Sequence, residues 1–148
     1  MVELKMKKYK QSGFTLIEVI VVLVILGILA SIVVPNVISR TDQAQIVKAQ
    51  QDIRALESAL QLYRVDNFAY PTTDQGLEAL VEKPSSGPEA KNWQKGGYIK
   101  KVPQDPWQND YQYISPGSQG DFDLYSLGAD GRPGGADSNS DIGNWDLE

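Results

Sequence analysis

Three aspartates, Asp130, Asp137 and Asp141, fall within a Gly-rich stretch, SLGADGRPGGADSNSDIGNW (126–145). Carboxylates, hydroxyls and carbonyls on a flexible loop form the donor set of calcium, which takes about 6 to 8 oxygens at roughly 2.3–2.6 Å. The spacing is not that of an EF-hand, whose terminal glutamate and flanking helices are missing. A solvated acidic loop has the same composition, so the residues alone leave both readings open. A fourth carboxylate is placed more oddly. Glu18 follows Phe14 by four residues in KQSGFTLIEV (10–19), at the head of the apolar run FTLIEVIVVLVILGILASIVV (14–34). A charge at bilayer depth costs at least ~2.5 kcal/mol even on lenient insertion scales. Either Glu18 reaches back to water at the interface, or a positive partner offsets it.

Other chemistries are short of reagents. The chain has no cysteine and no histidine, which removes disulfides, thiolate nucleophiles, the commonest general base and the commonest transition-metal ligand. Any metal should therefore be hard and oxygen-bound. A carboxylate-dependent hydrolase would need a pocket with a raised-pKa acid, and nothing in the sequence marks one. Asp121 and Asp123 alternate along a strand-like segment and read as solvent-facing or loop-supporting. Trp93, Trp107, Trp145 and the tyrosines at 98, 111, 113 and 125 read as core and turn packing. The net charge of −5 offers no basic stripe for phosphates, so no nucleic-acid partner is expected. Lys5, Lys7, Lys8 and Lys10 against Glu3 make the first thirteen residues basic; losing these four positive and one negative side chains moves the net charge to −8.

The elements that would position these residues follow from periodicity. The run 14–34 has only Thr15, Glu18 and Ser31 as polar positions and as a helix spans about 30 Å, the thickness of a hydrocarbon core. The basic leader should keep to the cytoplasmic side. Ala30 and Ser31 offer a weak signal-peptidase site after the run, whereas Gly13 is the better candidate for a cut before it. A cut there would leave the Phe14 amine about one helical turn from Glu18. Pro35 should kink or interrupt the helix. Beyond it, Ile46, Ala49, Ile53, Leu56, Leu60 and Tyr63 recur at spacings of 3 and 4, one helix face, while Lys48, Asp52, Arg54, Glu57 and Arg64 lie off it. Residues 66–148 must cover that stripe. YPTTDQGLEALVEKP predicts a short helix with Thr73 as N-cap and a stop near Pro84. YIKKV (98–102), YQYIS (111–115) and FDLYSL (122–127) predict three antiparallel strands between strong turn signals. The fold class is α+β: a long N-terminal helix, transmembrane in its first half and amphipathic in its second, packed on a small C-terminal domain of one short helix, a three-stranded sheet and the acidic loop.

SGFTLIEV, with Gly13, Phe14 and Glu18 behind a basic leader and ahead of an apolar helix, resembles the class III signal of the type IV pilin-like superfamily. The resemblance implies cleavage after Gly13 by a prepilin peptidase, N-methylation of Phe14, and pairing of Glu18 with the N-terminal amine of a neighbouring subunit. Beyond the helix, YPTTDQGLEALV, GGYIKKVPQDPW, DYQY, FDLYSLGADG and DIGNW are similar to the major pseudopilins of type II secretion, the general secretion pathway protein G family. That family binds calcium in the loop, which implies the Asp130 and Asp141 side chains and the Leu127 carbonyl as ligands, with Asp137 and Ser138 beside them. One acidic position of the family next to Asp141 is Ser140 here. Type IV pilins close the same region with a disulfide, for which this chain has no cysteine.

The implied organisation is a cleaved leader (1–13), a transmembrane and assembly helix (14–35) and a periplasmic domain (36–148). The implied protein is not an enzyme but the major subunit of a periplasmic filament that moves folded proteins across the outer membrane. Its implied partners are copies of itself in a helical homopolymer, minor pseudopilins, the inner-membrane assembly platform, prepilin peptidase and membrane lipid. Two alternatives stay open: a type IV pilus major pilin, and a monomeric membrane-anchored calcium-binding module.

Overall fold

The computed structural model describes residues 13–147. The chain divides into two compact units, one ending at Ser39 and one beginning at Arg40. Helix α1, Leu16–Asn67, contributes to both. In the first unit the 18-residue window Leu16–Val33 has a mean hydropathy of 3.1 and none of it is buried, so it is long and apolar enough to cross a membrane. The helical assignment continues through Pro35, so the interruption expected there is absent. Proline lacks one N–H and therefore leaves only one carbonyl of the ladder without its donor, a cost the flanking turns can carry.

In the second unit the stripe behaves as its spacing predicts. Ala49, Ile53, Leu56, Leu60 and Tyr63 are buried, with Ile46 packed at the edge of the same cluster. Burying a Leu or Ile side chain is worth about 1.5–3 kcal/mol, so this face is the main attachment of helix to body. Off the stripe, Lys48 pairs with Asp52 at 2.6 Å, and the Tyr111 hydroxyl donates to the same carboxylate at 3.1 Å. Burial first, then the Asp52 charge, pushes the Tyr111 phenol well above its ordinary range, keeping it a neutral donor. The helix closes at Phe68, which takes φ +63° and donates its N–H to the Arg64 carbonyl at 2.7 Å.

The short helix is a 3₁₀ turn, Leu77–Leu80. Thr73 is not its cap. The reciprocal pair forms one residue earlier, where Thr72 N–H donates to Gln75 Oε1 (3.0 Å) and Gln75 N–H to the Thr72 hydroxyl (3.2 Å). Gly76, at φ +64°, then breaks the turn before Leu77, so no α-helix can run through. Thr73 instead exchanges two hydrogen bonds with the Ser115 backbone.

The sheet has three antiparallel strands, but not the expected three. They are β1 (Gln112–Ile114), β2 (Asp123–Ser126) and β3 (Ile142–Gly143), in that spatial order. Tyr113 pairs with Leu124, and Ser126 with Ile142. These four side chains are buried, as period-2 alternation requires. Segment 98–102 forms no strand. Tyr98 and Ile99 both turn their N–H groups onto the Leu80 carbonyl (2.7 and 3.2 Å), and Pro103, which cannot donate to a ladder, follows directly. A single bridge, Gln104 to Asp110, is what remains of pairing there. Asp123 supports the β1–β2 loop, accepting from the Ser118 N–H and hydroxyl and the Gln119 N–H at 2.7–2.9 Å. Burial pushes its carboxyl up, yet these hydrogen bonds outweigh it and hold the group below the usual range.

Candidate functional site

At the head of α1, Gly13 and Phe14 precede the first helical residue and Phe14 is 83% exposed. A Cβ at Gly13 would meet no atom within 4 Å among the described residues. Thr15 and Glu18 form a reciprocal cap: the Glu18 N–H donates to the Thr15 hydroxyl (3.3 Å) and the Thr15 N–H to Glu18 Oε2 (3.4 Å). An acidic residue in the first turn also suits the positive end of the helix dipole. Glu18 is thus tied to its own helix by one oxygen, while among the described residues Oε1 accepts nothing. Phe14, Val19, Val22 and Leu23 line a shallow hollow of about 300 Å³ around it.

The acidic loop follows β2 and returns through β3. Gly128 takes φ +70°, and a Cβ there would lie 2.8 Å from the Ser140 carbonyl and 2.9 Å from that of Ser138, so only glycine permits the two halves of the loop to close on each other. Ala129 N–H to the Ser138 carbonyl (2.8 Å) fastens that closure. Asp130 is exposed and accepts from Arg132 N–H at 3.0 Å. Asp137 is exposed at φ +54° in a 3₁₀ turn, Asp137–Asn139, with half-buried Ser138 next to it. Asp141 Oδ2 accepts from Gly134 N–H at 3.0 Å. The structure therefore brings Leu127, Ser138 and Asp141 into one closed loop, but not the three carboxylates into one cluster: among the described residues no three acidic side chains gather as a metal site.

One atom fits a bound cation. Asp141 Oδ1 is buried without a hydrogen-bond partner, alone in this among the side-chain polar atoms of the described residues. Leaving such an acceptor unmet costs about 1–3 kcal/mol, more for a charged group, and a hard cation would remove that cost. The loop's side chains and carbonyls offer only hard oxygen donors, with no nitrogen or sulfur ligand of the kind softer metals take.

Residues 36–145 match the family model described as type II secretion system (T2SS), protein G. The chain belongs to the type II secretion system protein G family. Residues 8–34, which carry the junction, match the prokaryotic N-terminal methylation motif. The type II secretion system core protein G of Pseudomonas aeruginosa is 63% identical over 141 residues, covering 95% of this chain and 99% of that protein. That of Vibrio cholerae is 60% identical over 142 residues, covering 96% and 97%. The crystal structure of the major pseudopilin from the type 2 secretion system of enterohaemorrhagic Escherichia coli superposes with a TM-score of 0.68 at 51% identity, covering 78% of this chain and 98% of that one. As a protein G family member the chain is a pseudopilin, a structural subunit that polymerises into the pseudopilus and serves protein export. Its apolar helix fits a membrane-anchored member of the family.

Two features of this protein G chain escaped the sequence reading. The Thr15–Glu18 cap was written in T-x-x-E directly before an apolar run, which is a capping-box signature. The buried Asp105 (3% exposed) had no comparable signal, because its partner Ser126 lies 21 residues away in sequence.

Proposed function

We propose that the chain enters the inner membrane with its leader in the cytoplasm and its body in the periplasm, is cut between Gly13 and Phe14 by a prepilin peptidase, and is N-methylated on Phe14. It is then drawn into a helical homopolymer, with minor pseudopilins and an inner-membrane assembly platform as its partners, and the growing filament drives folded proteins across the outer membrane. Glu18 receives the Phe14 amine of a neighbouring subunit. The observation that carries this reading is the junction: an exposed Phe14 one turn before Glu18, whose Oε1 accepts nothing among the described residues, at the head of an apolar helix of which the window Leu16–Val33 is wholly unburied. Docking supplies Glu18 with a counter-charge and the apolar face with packing, so both costs of the monomer fall on assembly.

Calcium completes the reading. Asp141, whose orphaned Oδ1 supports the reading, would hold it with the Leu127 carbonyl, and Asp130, Asp137 and the Ser138 side chain would have to close on it, since the three carboxylates do not gather among the described residues. The ion would tie together a long loop whose ordering is entropically costly, the service a disulfide gives elsewhere. No catalytic role is assigned: the buried carboxylates are spent on hydrogen bonds, Asp105 to its own turn and the Ser126 hydroxyl, Asp123 to its own turn.

Mass analysis of the amino terminus of membrane-purified protein tests the processing. A terminus at methylated Phe14 supports it; a terminus at Met1 or near Ile32 overturns it.

A further inference from the structure

We propose that the buried carboxylate of Asp105 sets the calcium affinity of the loop without touching the ion, by holding Ser126 and Gly128 through one continuous line of hydrogen bonds. The inference rests on the cation reading of the loop. Asp105 Oδ1 accepts from the N–H groups of Trp107 (3.0 Å) and Asn109 (2.8 Å), which folds the turn 105–109 around it. Its Oδ2 accepts from the Ser126 hydroxyl at 2.6 Å, and that hydroxyl accepts in turn from the Gly128 N–H at 3.1 Å. Both oxygens are occupied, so Asp105 has no place in a ligand shell; it is a positioning residue. A second link runs in parallel, since the Asn109 side-chain amide donates to the Gly128 carbonyl at 3.5 Å and stands 3.4 Å from where a Cβ on Gly131 would be.

The two links hold Ser126 and Gly128, on either side of one proposed ligand and two residues before another. Leu127 sits between Ser126 and Gly128, and Asp130 between Gly128 and Gly131, whose N–H closes back on the Gly128 carbonyl at 3.4 Å. Ser126 is fully buried, so the line is shielded from competing water. Partners that orient metal ligands from behind typically change affinity by about 10–100-fold when removed.

The test is calcium titration calorimetry on the detergent-solubilised full chain, with Asp105→Asn and, because the first change alters a buried charge, Ser126→Ala, which deletes only the linking hydroxyl. Melting in a chelator is recorded alongside. The latch predicts a calcium Kd raised roughly tenfold or more in each folded variant, with a smaller calcium-induced rise in Tm. A Kd equal to that of the unsubstituted chain, with only the chelated Tm lowered, would make the pair a simple core hydrogen bond and sink the latch alone. Absence of calcium binding by the unsubstituted chain would remove the ion reading and the latch with it.

Discussion

The segment before Ser39 and the body after Arg40 treat the same two problems, apolar surface and acidic side chains, in opposite ways. In the body, apolar side chains from α1, the 3₁₀ turn and the sheet close on one another, and Leu60, Leu80 and Leu124 have no exposed surface. In the segment every large apolar side chain described, from Phe14 to Val33, lies open. The carboxylates divide likewise: Asp105 and Asp123 each accept three hydrogen bonds, whereas among the described residues Glu18 accepts one at 3.4 Å. The body closes its core within a single chain. The segment is half of something, and lipid or other copies of the chain must supply the rest.

The largest effect should come from removing the Glu18 carboxylate. Glu18→Leu is expected to leave a membrane-inserted, stably folded protein whose filament assembly and export fall to background. If the variant instead assembles as well as the unsubstituted chain, Glu18 is only a helix cap, and a monomeric anchored module gains ground. The body should show the converse. Leu60→Ala is expected to cost about 2–5 kcal/mol of unfolding free energy, as deletions in closed cores do. Leu23→Ala, in the open segment, should leave the melting of the body unchanged. Equal losses in the two variants would mean that the segment has a core of its own.

How far the sequence could be read also follows this division. The segment and the buried stripe were legible because each depends on local periodicity: apolar length in one case, 3–4 spacing in the other. The junction was legible as a motif, SGFTLIEV, though the cap inside it was overlooked. The sheet was only partly legible. YQYIS and FDLYSL carry strand-forming residues and became β1 and β2, but β3 is two residues long, Ile142–Gly143, and exists because the acidic loop returns to Ser126 and Tyr125. No propensity marks a strand that short. YIKKV had the composition without the partner, since its first two N–H groups go to Leu80. The support behind the loop was illegible for the same reason: Asp105 and Ser126 meet only through the fold.

Calcium removal should have an intermediate effect, confined to the body. At a calcium concentration a hundredfold above Kd the ion would add about 2.7 kcal/mol. Chelation should therefore lower the Tm, and Asp130→Ala should do much the same without chelator. An unchanged Tm at low free calcium would show that the loop closes without an ion. A smaller, pH-dependent contribution comes from Asp123. Its folded carboxyl lies below the ordinary range, so its stabilisation is present above about pH 4 and fades as pH falls toward the lower folded value. Asp123→Asn should flatten the acid limb of the stability profile in that window; an acid limb identical to the unsubstituted chain's would mean that the Ser118 and Gln119 hydrogen bonds are not maintained in solution.

Thr15→Val is the finest discriminator between the two regions. It keeps the side-chain shape and deletes only the hydroxyl that accepts from the Glu18 N–H. Loss of an N-cap costs about 1 kcal/mol, and here the loss falls on a helix start that carries none of the body's core. It should not register in the melting of the body. Hydrogen exchange in micelles should detect it, as roughly fivefold faster exchange of the Glu18 N–H, the rate equivalent of that ~1 kcal/mol, with the amides of Ile53 to Leu60 unaffected. Faster exchange at both ends would mean that segment and body open together. If neither changes, the hydroxyl carries no weight, and the Glu18 N–H is held by its backbone hydrogen bond to the carbonyl of residue 15.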